Sequence, residues 1–280
     1  MKILVTGGNG NLARVLVKAL ERSYNLKVLT HHDLDITLQE NVYKIVSKYK
    51  PHFVINTAAI TDVDGCENHA RKALEVNGFG PFYLAKACKE NDSILVHFST
   101  EMIFDGSKSA PYVETDCPNP LLAYGLTKYI GEQNIKRVHC NYTIFRTSWL
   151  FGGGVPKFVN QFIERAKQMS SIKVVKDQIG SPTYTNDIAA AIDLYLEQPQ
   201  FGIYHMANLG EASRLDMAQF IKKELSLDCE LIPISYQDLE IETYRPARAV
   251  LNSLYREKYG FLQLRPWQEA LREYLFLTYV

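Results

Sequence analysis

Short apolar runs alternate along the first half of the chain with stretches in which apolar residues recur every three or four positions. The first segment contains both patterns, because the run Ile3–Thr6 ends in glycines and Leu12, Leu16 and Leu20 follow at helical spacing. A continuous, β-branched run predicts a strand that is buried on both faces. Apolar residues at helical spacing predict a helix with one buried face. The chain therefore begins with a strand, a glycine turn and a helix.

The same alternation continues to about residue 150. Further strands are predicted at Leu26–Thr30, Phe53–Asn56, Ile94–Phe98 and Thr143–Thr147. Helices are predicted between them, around residues 42–49, 68–90 and 124–138, and Pro81 lies inside the second. Strands that alternate with helices form right-handed crossovers and a parallel sheet covered on both faces. This pattern predicts an α/β, doubly wound, Rossmann-like fold, in which ligands bind at the carboxyl ends of the strands.

The regular alternation weakens after residue 150, where Gly152, Gly153 and Gly154 interrupt the chain. Helices are predicted near 157–168, 186–197 and 214–225, strands near 172–175 and 203–206, and a last helix from Pro266. Proline is a favourable first residue of a helix. We therefore expect a dinucleotide-binding Rossmann domain over residues 1–150 and a smaller C-terminal substrate-binding lobe over 151–280, with a soft boundary and shared elements.

The turn after the first strand has the composition of a phosphate-binding loop. It follows the pattern Gly7-x-x-Gly10-x-x-Ala13. Glycine lets a ligand approach the backbone closely, and a helix N-terminus offers free N–H groups and a partial positive charge. A plain tight turn is the alternative. The strand before the glycines and the helix after them favour the nucleotide-binding interpretation.

Composition excludes several other classes of protein. Lys and Arg together number 31, as do Asp and Glu, and a nucleic-acid-binding protein would show a basic excess. We see no apolar stretch long enough to cross a membrane and no leader ahead of the first strand. The five cysteines form no C-x-x-C pair and the seven histidines no cluster, so we expect no metal site and no disulfide framework. A cytoplasmic location is expected.

A tyrosine and a lysine are spaced as a catalytic pair in AYGLTKYIGE. Tyr124 and Lys128 are four residues apart, which places them on one face of a helix. A neighbouring ammonium stabilises a phenolate, so we expect the pKa of Tyr124 to fall from its ordinary value near 10 toward neutrality. Such a tyrosine can donate a proton to a carbonyl as hydride arrives. A surface helix pair is the ordinary alternative, but Ser99 and Thr100 end the fourth strand at the ligand edge of the sheet, where a hydroxyl can bind a substrate carbonyl.

Several segments resemble the dTDP-4-dehydrorhamnose reductase family, within the extended branch of the short-chain dehydrogenases/reductases. They run in order along nearly the whole chain: NTAAITDVDGCE (56–67), VN (76–77), STEMIFDG (99–106), YGLTKYIGE (124–132), FRTSWLFG (145–152), DQIGSPTY (177–184) and YRP (244–246). The resemblance implies reduction of a 4-keto sugar nucleotide by a nicotinamide cofactor, in polysaccharide biosynthesis.

The resemblance also implies roles for individual residues. It assigns Thr100, Tyr124 and Lys128 as catalytic. The cofactor is expected against Gly7, Gly10, Asn11, Leu12, Arg14, Asp35, Ile36, Ala58, Ala59, Tyr124 and Lys128. The substrate is expected against Thr61, Val63, Thr100, Met102, Trp149 and Arg245.

Two of these substrate residues have plain alternatives. Trp149 follows a strand end, where its ring could cover the face of a sugar or base. The alternative interpretation is an ordinary core tryptophan. Arg245 has a planar fork that suits a pyrophosphate, or it forms a surface salt bridge. We interpret Asp64 and Glu67 as structural or capping carboxylates.

The chain departs from the family pattern at positions expected on the substrate side. The family usually has S-T-D-Y-V-F where this chain has Glu101 and Met102, and methionine offers no strong hydrogen bond to a sugar. Lys157 stands where asparagine is usual, and Arg248-Ala249 replaces the usual residues after Arg-Pro. These departures indicate reductase chemistry on an altered sugar nucleotide.

Cofactor choice and function each leave alternatives open. An acid at the end of the second strand would favour NAD, but here His31 and His32 precede Asp33, and Arg14 could meet a 2′-phosphate. NADPH is therefore favoured, with NADH as the alternative. The rival functions are an epimerase or dehydratase with tightly held NAD, and a non-catalytic nucleotide-binding regulatory subunit. The chain could also form a homodimer.

Overall fold

The computed structural model describes residues 1–139, 141–154, 158–239, 243 and 245–280. Lys157, named above as a departure, lies outside the described residues. The strands are β1 Lys2–Thr6, β2 Asn25–Leu29, β3 Phe53–Asn56, β4 Ile94–Thr100, β5 Tyr142–Thr147, β6 Leu150–Phe151, β7 Ser171–Val175, β8 Ile179–Gly180, β9 Thr183–Tyr184, β10 Gly202–His205, β11 Ala212–Ser213 and β12 Glu230–Ile234. The α-helices are α1 Asn11–Leu20, α2 Gln39–Tyr49, α3 Val63–Asn68, α4 Ala70–Leu74, α5 Gly80–Glu90, α6 Ala123–Val138, α7 Phe158–Ala166, α8 Thr185–Glu197, α9 Arg214–Glu224 and α10 Trp267–Tyr279.

The centre of the larger lobe is a six-stranded sheet in the order β10-β5-β4-β3-β1-β2. Every adjacent pair of strands in it is parallel. One apolar cluster packs α1 and α8 against one face, and a second packs α2 and α5 against the other. The α/β, doubly wound prediction is therefore confirmed, and the strands end at one common edge.

The helix predicted over residues 68–90 is interrupted. A π-helical turn at Glu75–Phe79 separates α4 from α5, and Pro81 lies in the first turn of α5, where its missing N–H costs no helical hydrogen bond. The buried Asn77 in this turn pairs with the backbone of Ile60, accepting from its N–H at 2.9 Å and donating to its carbonyl at 3.0 Å. The interruption thus fixes the loop that follows β3. The last helix also differs slightly from its prediction, since Pro266 is its N-cap.

The smaller lobe has its own apolar core. It is formed by α7, α9 and α10 with the parallel pair β7 and β12, and it includes Phe151, Phe162, Trp267 and Leu271. The chain path is not a simple division at residue 150, because α8 and β10 return to the large sheet. The boundary itself stays a prediction, with residues 185–205 as shared elements.

A buried ion pair connects α6 to β5 beneath the strand ends. Arg146 Nη2 lies 2.7 Å from Glu132 Oε2, and Arg146 Nε donates to Oε1 at 3.0 Å. The two side chains are 3% and 0% exposed, so neither charge can be solvated when the other is removed. The pair therefore holds α6 at a defined position on the sheet.

We expect Arg146→Met to lower the free energy of unfolding by about 3–5 kcal/mol, because it leaves the Glu132 carboxylate buried without its partner. The double variant Glu132→Leu/Arg146→Met removes both charges, so its free energy of unfolding should fall by less than that of Arg146→Met. Urea unfolding followed by circular dichroism measures both. Arg71→Met, in the exposed pair with Glu75, is the matched control and should change stability by less than about 1 kcal/mol. An Arg146→Met protein that unfolds at the wild-type urea concentration contradicts this account.

Candidate active site

A cavity of about 570 Å³ lies where the carboxyl ends of the large sheet face the smaller lobe. This volume is typical of clefts that hold small ligands. The glycine turn, the loop after β3, the end of β4, α6 and the loop after β5 all line it. The predicted site residues in its lining are Gly10, Asn11, Leu12, Ala59, Thr61, Val63, Thr100, Met102, Tyr124, Lys128, Trp149 and Arg245.

The glycine turn brings the N-terminus of α1 to this cavity. Gly10 is the N-cap, and the first N–H groups of α1 have no partner within the helix. Gly7 is required for the shape of the turn. Its φ is +70°, and a Cβ there would lie 2.7 Å from the backbone of Ala58. It allows the turn to approach the loop after β3. Asn11 donates from Nδ2 to the Gly152 carbonyl at 2.8 Å, which ties α1 to the glycine loop of residues 152–154.

Five predicted cofactor residues do not line the cavity: Gly7, Arg14, Asp35, Ile36 and Ala58. Arg14 is exposed on the first turn of α1. Asp35 accepts hydrogen bonds from Thr37, and Ile36 is buried against Gly80. Their assignment to the cofactor stays a prediction that rests on the resemblance.

Lys128 is buried in α6 and points toward β4. Its Nζ donates to the Phe98 carbonyl at 2.6 Å and lies 3.2 Å from Nε2 of His97. Burial lowers the pKa of Lys128 to about 8, and the charge of Glu132 partly offsets this effect. The ammonium form is therefore less favoured here than in water.

The expected fall in the pKa of Tyr124 is wrong. The pKa of Tyr124 is raised, first because burial disfavours the phenolate and then because Glu101 places a negative charge nearby. The amine that was expected to stabilise the phenolate is engaged by Phe98 and His97 instead. Tyr124 consequently keeps its proton.

Thr100 and Glu101 form a second polar pair in the cavity. Thr100 Oγ1 donates to Glu101 Oε2 at 2.8 Å and accepts from the Met102 N–H at 3.2 Å. Burial raises the pKa of Glu101, whereas the hydrogen bond from Thr100 and the charge of Arg214 favour its anion. The one hydroxyl proton of Thr100 is therefore directed at Glu101, and a carbonyl bound to Thr100 would compete for it.

Sequence reasoning missed Arg214, the first residue of α9. Its guanidinium carbon lies 3.5 Å from the ring centroid of Trp149 and 4.9 Å from that of Phe158. Burial lowers the pKa of Arg214 to about 10, with partial compensation from Glu101. Trp149 also packs against Gly180, where a Cβ would lie 2.5 Å from the indole ring. No motif or spacing marks Arg214, which is 65 positions beyond Trp149.

Arg245 lines the cavity and also forms an ion pair. Its Nη2 lies 2.9 Å from Asp64 Oδ2, while its buried Nε has no hydrogen-bond partner among the described residues. Glu67 accepts from the Ala123 N–H at 2.5 Å, at the start of α6. The interpretation of Glu67 as a capping carboxylate is confirmed, whereas that of Asp64, which pairs with a cavity residue, stays a prediction. The departure Arg248-Ala249 lies outside the cavity lining, with Ala249 buried and Arg248 paired with Glu211.

The lining fits a ligand that carries phosphate groups and further hydrogen-bonding groups. The hydroxyls of Ser99 and Thr147 are buried at the cavity and have no partner among the described residues. A ligand that enters can satisfy them, and the N-terminus of α1 suits its phosphates. Within the described residues, no His, Cys, Asp or Glu cluster is arranged to hold a metal ion. The helices in that same part of the chain include none that is long and apolar enough to span a membrane.

Comparison with known proteins identifies the family. A profile described as RmlD substrate binding domain matches residues 1–279. The spore coat polysaccharide biosynthesis protein SpsK of Bacillus subtilis (strain 168) is 38% identical over 98% of this chain and 96% of its own length. A dTDP-4-dehydrorhamnose reductase structure from Clostridium acetobutylicum ATCC 824 superposes with a TM-score of 0.97, at 36% identity over 100% of both chains. The dTDP-4-dehydrorhamnose reductase from Bacillus anthracis str. Ames, solved in complex with NADP, gives 0.96 at 33% identity over 99% of both chains.

The similarity extends over the whole chain, and the resemblance that the sequence motifs carried is confirmed. This protein belongs to the RmlD substrate binding domain family, within which the relatives that share its fold include dTDP-4-dehydrorhamnose reductases.

Proposed function

We propose that this protein is an NADP-dependent oxidoreductase that uses NADPH to reduce the 4-keto group of a sugar nucleotide. The reaction is the conversion of dTDP-4-dehydrorhamnose to dTDP-rhamnose or a close relative of it in polysaccharide biosynthesis. One observation carries the proposal: Thr100, Tyr124 and Lys128 line a single cavity together with the N-terminus of α1. Full-length similarity to reductases, one of them solved with NADP, supports the same chemistry.

The chemistry divides between cofactor and protein. NADPH, when bound, supplies the hydride that reaches the carbonyl carbon. Tyr124 is the proton donor, because burial and Glu101 keep its phenol protonated. Thr100 orients the carbonyl oxygen by hydrogen bonding, for which its proton must leave Glu101. The N-terminus of α1 at Gly10, Asn11 and Leu12 receives the phosphates of the dinucleotide.

The other end of the cavity suits the sugar nucleotide. Arg245 and Arg214 bring two guanidinium groups to the lining, which favours a pyrophosphate. Thr61, Val63 and Met102 complete this side with one hydroxyl and two apolar groups. Because Met102 cannot hydrogen-bond a sugar hydroxyl strongly, the sugar is held more by the cavity residues around Met102.

The cellular location and the assembly of the protein are both proposals. Cys66, Cys88, Cys117 and Cys229 are unpaired in the described part of the chain, which suits the reducing cytoplasm. A homodimer is the proposed assembly. Gel filtration with light scattering tests the assembly directly.

One assay tests the function as a whole. A set of 4-keto sugar nucleotides is offered with NADPH, and cofactor oxidation is followed by absorbance. Turnover that consumes NADPH in proportion to the sugar supports a reductase. Turnover without net NADPH consumption, by protein purified with bound NAD, would indicate an epimerase or dehydratase. Binding of NADPH with no turnover of any substrate would indicate a regulatory subunit.

We expect Tyr124→Phe to lower kcat by about 10²–10⁴-fold, which is the usual effect of removing a positioned acid. NADPH affinity should persist, because only one oxygen is lost. Tyr129→Phe, on the same helix but outside the cavity lining, is the matched control and should keep the wild-type rate. Steady-state kinetics and calorimetry separate the two effects. A Tyr124→Phe enzyme with wild-type kcat would assign the proton to another group.

Cofactor preference provides a further prediction. If Arg14 meets the 2′-phosphate, Arg14→Ala should weaken NADPH binding by about tenfold to a hundredfold, the range for one charge-assisted hydrogen bond. NADH binding should not change. Lys18→Ala removes an exposed charge from the last turn of α1 and is the control. Equal loss of affinity for both cofactors, or no loss for either, would remove Arg14 from the site.

A further inference from the structure

Arg214 brings a positive charge into the cavity from the smaller lobe. The residue begins α9, is partly exposed and lines the cavity. The described residues give its guanidinium two aromatic contacts and the through-space attraction of Glu101, but neither a hydrogen bond nor an ion pair. A guanidinium that is held away from bulk solvent with its N–H groups unbonded can take a ligand.

Stacking on Trp149 leaves the hydrogen-bonding edge of this guanidinium open to the cavity. The guanidinium carbon lies 3.5 Å from the centroid of the indole ring, so the ring covers a face of the planar group. The five N–H donors lie in the plane and are not used by the stack. Trp149 has a left-handed backbone with φ at +41°, a strained state that bulky residues adopt mainly at functional sites. The stack therefore presents donors in a fixed plane.

Glu101 brings the complementary group to the same lining. It is the one acid among the described residues of the lining, and it is buried. The Thr100 hydroxyl donates to its Oε2 at 2.8 Å, and the charge of Arg214 favours its carboxylate. A carboxylate has about four acceptor positions, so the bond from Thr100 leaves others for a ligand. The cavity thus offers a group that only donates and a group that only accepts.

A hydroxyl suits both groups at once. Its oxygen can accept from Arg214 while its proton is donated to Glu101. A phosphate oxygen could accept from Arg214, but the negative charge of Glu101 would repel it. The charge of Arg214 still attracts a pyrophosphate at longer range, beside Arg245. The hydrogen bonds of Arg214 are therefore better matched to a sugar hydroxyl.

We propose that Arg214 is a specificity-determining residue that, together with Glu101, binds the sugar hydroxyl next to the carbonyl that is reduced. The position of this hydroxyl rests on the proposed function, in which Thr100 orients the carbonyl oxygen. Glu101 follows Thr100 in the chain and is hydrogen-bonded to it, so a hydroxyl on the adjacent ring carbon comes within its reach. In dTDP-4-dehydrorhamnose this is the hydroxyl on C3, because C5 carries the ring oxygen and a methyl group.

The same pair compensates for Met102 and acts on Thr100. Methionine offers the sugar no strong hydrogen bond, whereas Glu101 and Arg214 supply an acceptor and donors in the same lining. A sugar hydroxyl that donates to Glu101 competes with Thr100 for the carboxylate. It thereby releases the Thr100 proton toward the carbonyl. The substrate's own hydroxyl thus helps to prepare the site for reduction.

Binding measurements that separate the sugar from the nucleotide test the proposal. Calorimetry gives the affinities of dTDP, dTDP-rhamnose and 3-deoxy-dTDP-rhamnose for protein saturated with NADPH, with which the reduced sugar cannot react. We expect Arg214→Met to weaken dTDP-rhamnose binding by about tenfold to a hundredfold, the range for one charge-assisted hydrogen bond. The affinities of dTDP and of the 3-deoxy analogue should change much less, because neither carries the hydroxyl.

Two further variants complete the design. Glu101→Gln keeps the shape of the side chain and leaves α9 unchanged, and it should also reduce the preference for dTDP-rhamnose over its 3-deoxy analogue. Arg272→Met breaks the exposed pair with Glu224 at the other end of α9 and is the matched control. All three affinities should keep their wild-type values in this control. Circular dichroism verifies that each variant is folded.

The outcomes separate the possible explanations. An equal loss for dTDP and dTDP-rhamnose in Arg214→Met would assign Arg214 to the pyrophosphate, and no loss would leave it only a packing role on Trp149; either result overturns the proposal. If Arg214→Met does not fold, Glu101→Gln and the wild-type preference decide. Wild-type protein that binds dTDP-rhamnose no more tightly than the 3-deoxy analogue also refutes the inference, even if it is an active reductase.

The proposed function fails in a different way. Protein that shows the expected affinities but oxidises no NADPH with any 4-keto sugar nucleotide would refute the proposed reduction and leave the hydroxyl site standing.

Discussion

The position of α6 depends on one buried amine. Lys128 is buried, so its amine requires polar partners, and the Phe98 carbonyl and His97 lie within hydrogen-bond distance of it on β4. The helix must therefore lie close to the strand ends. Two glycines permit this approach, because a Cβ at Gly125 or Gly131 would overlap the backbone carbonyl oxygen of Met102 or Asn77. Tyr124, one turn before Lys128, is placed at the cavity as a result.

The same constraint explains how two separate segments become one site. Met102, which α6 contacts at Gly125, belongs to the turn that carries Thr100, and Asn77, which α6 contacts at Gly131, pins the loop after β3. Tyr124, the Thr100 hydroxyl at the end of β4 and the loop after β3 are thus all positioned by contacts with α6. The buried pair of Glu132 and Arg146 fixes that helix to β5 as well. A change in any of these contacts would move several cavity residues together.

Local patterns in the sequence predicted the elements but not the long-range pairs. Strands such as Phe53–Asn56 and the glycine turn follow from apolar runs and glycine spacing, which are properties of adjacent residues. The apolar pattern does not mark the π-helical turn at Glu75–Phe79, in which Asn77 pairs with the backbone of Ile60, 17 positions earlier. The prediction that the pKa of Tyr124 falls is wrong for a similar reason. Helical spacing places Lys128 near Tyr124, but only the folded chain shows that the amine is engaged by β4 and that Glu101 lies close.

The departures from the family pattern now divide into two groups. Glu101 and Met102 line the cavity, and Glu101 interacts there with both Thr100 and Arg214. Ala249 instead donates its N–H to the Ile179 carbonyl, and Arg248 pairs with Glu211 away from the lining, so these two stabilise the smaller lobe. In the proposed reaction, the Glu101 carboxylate competes with the substrate carbonyl for the Thr100 proton, and Met102 offers the sugar no strong hydrogen bond. Any change in substrate preference should therefore originate at residues 101 and 102, where the substitutions touch the site itself.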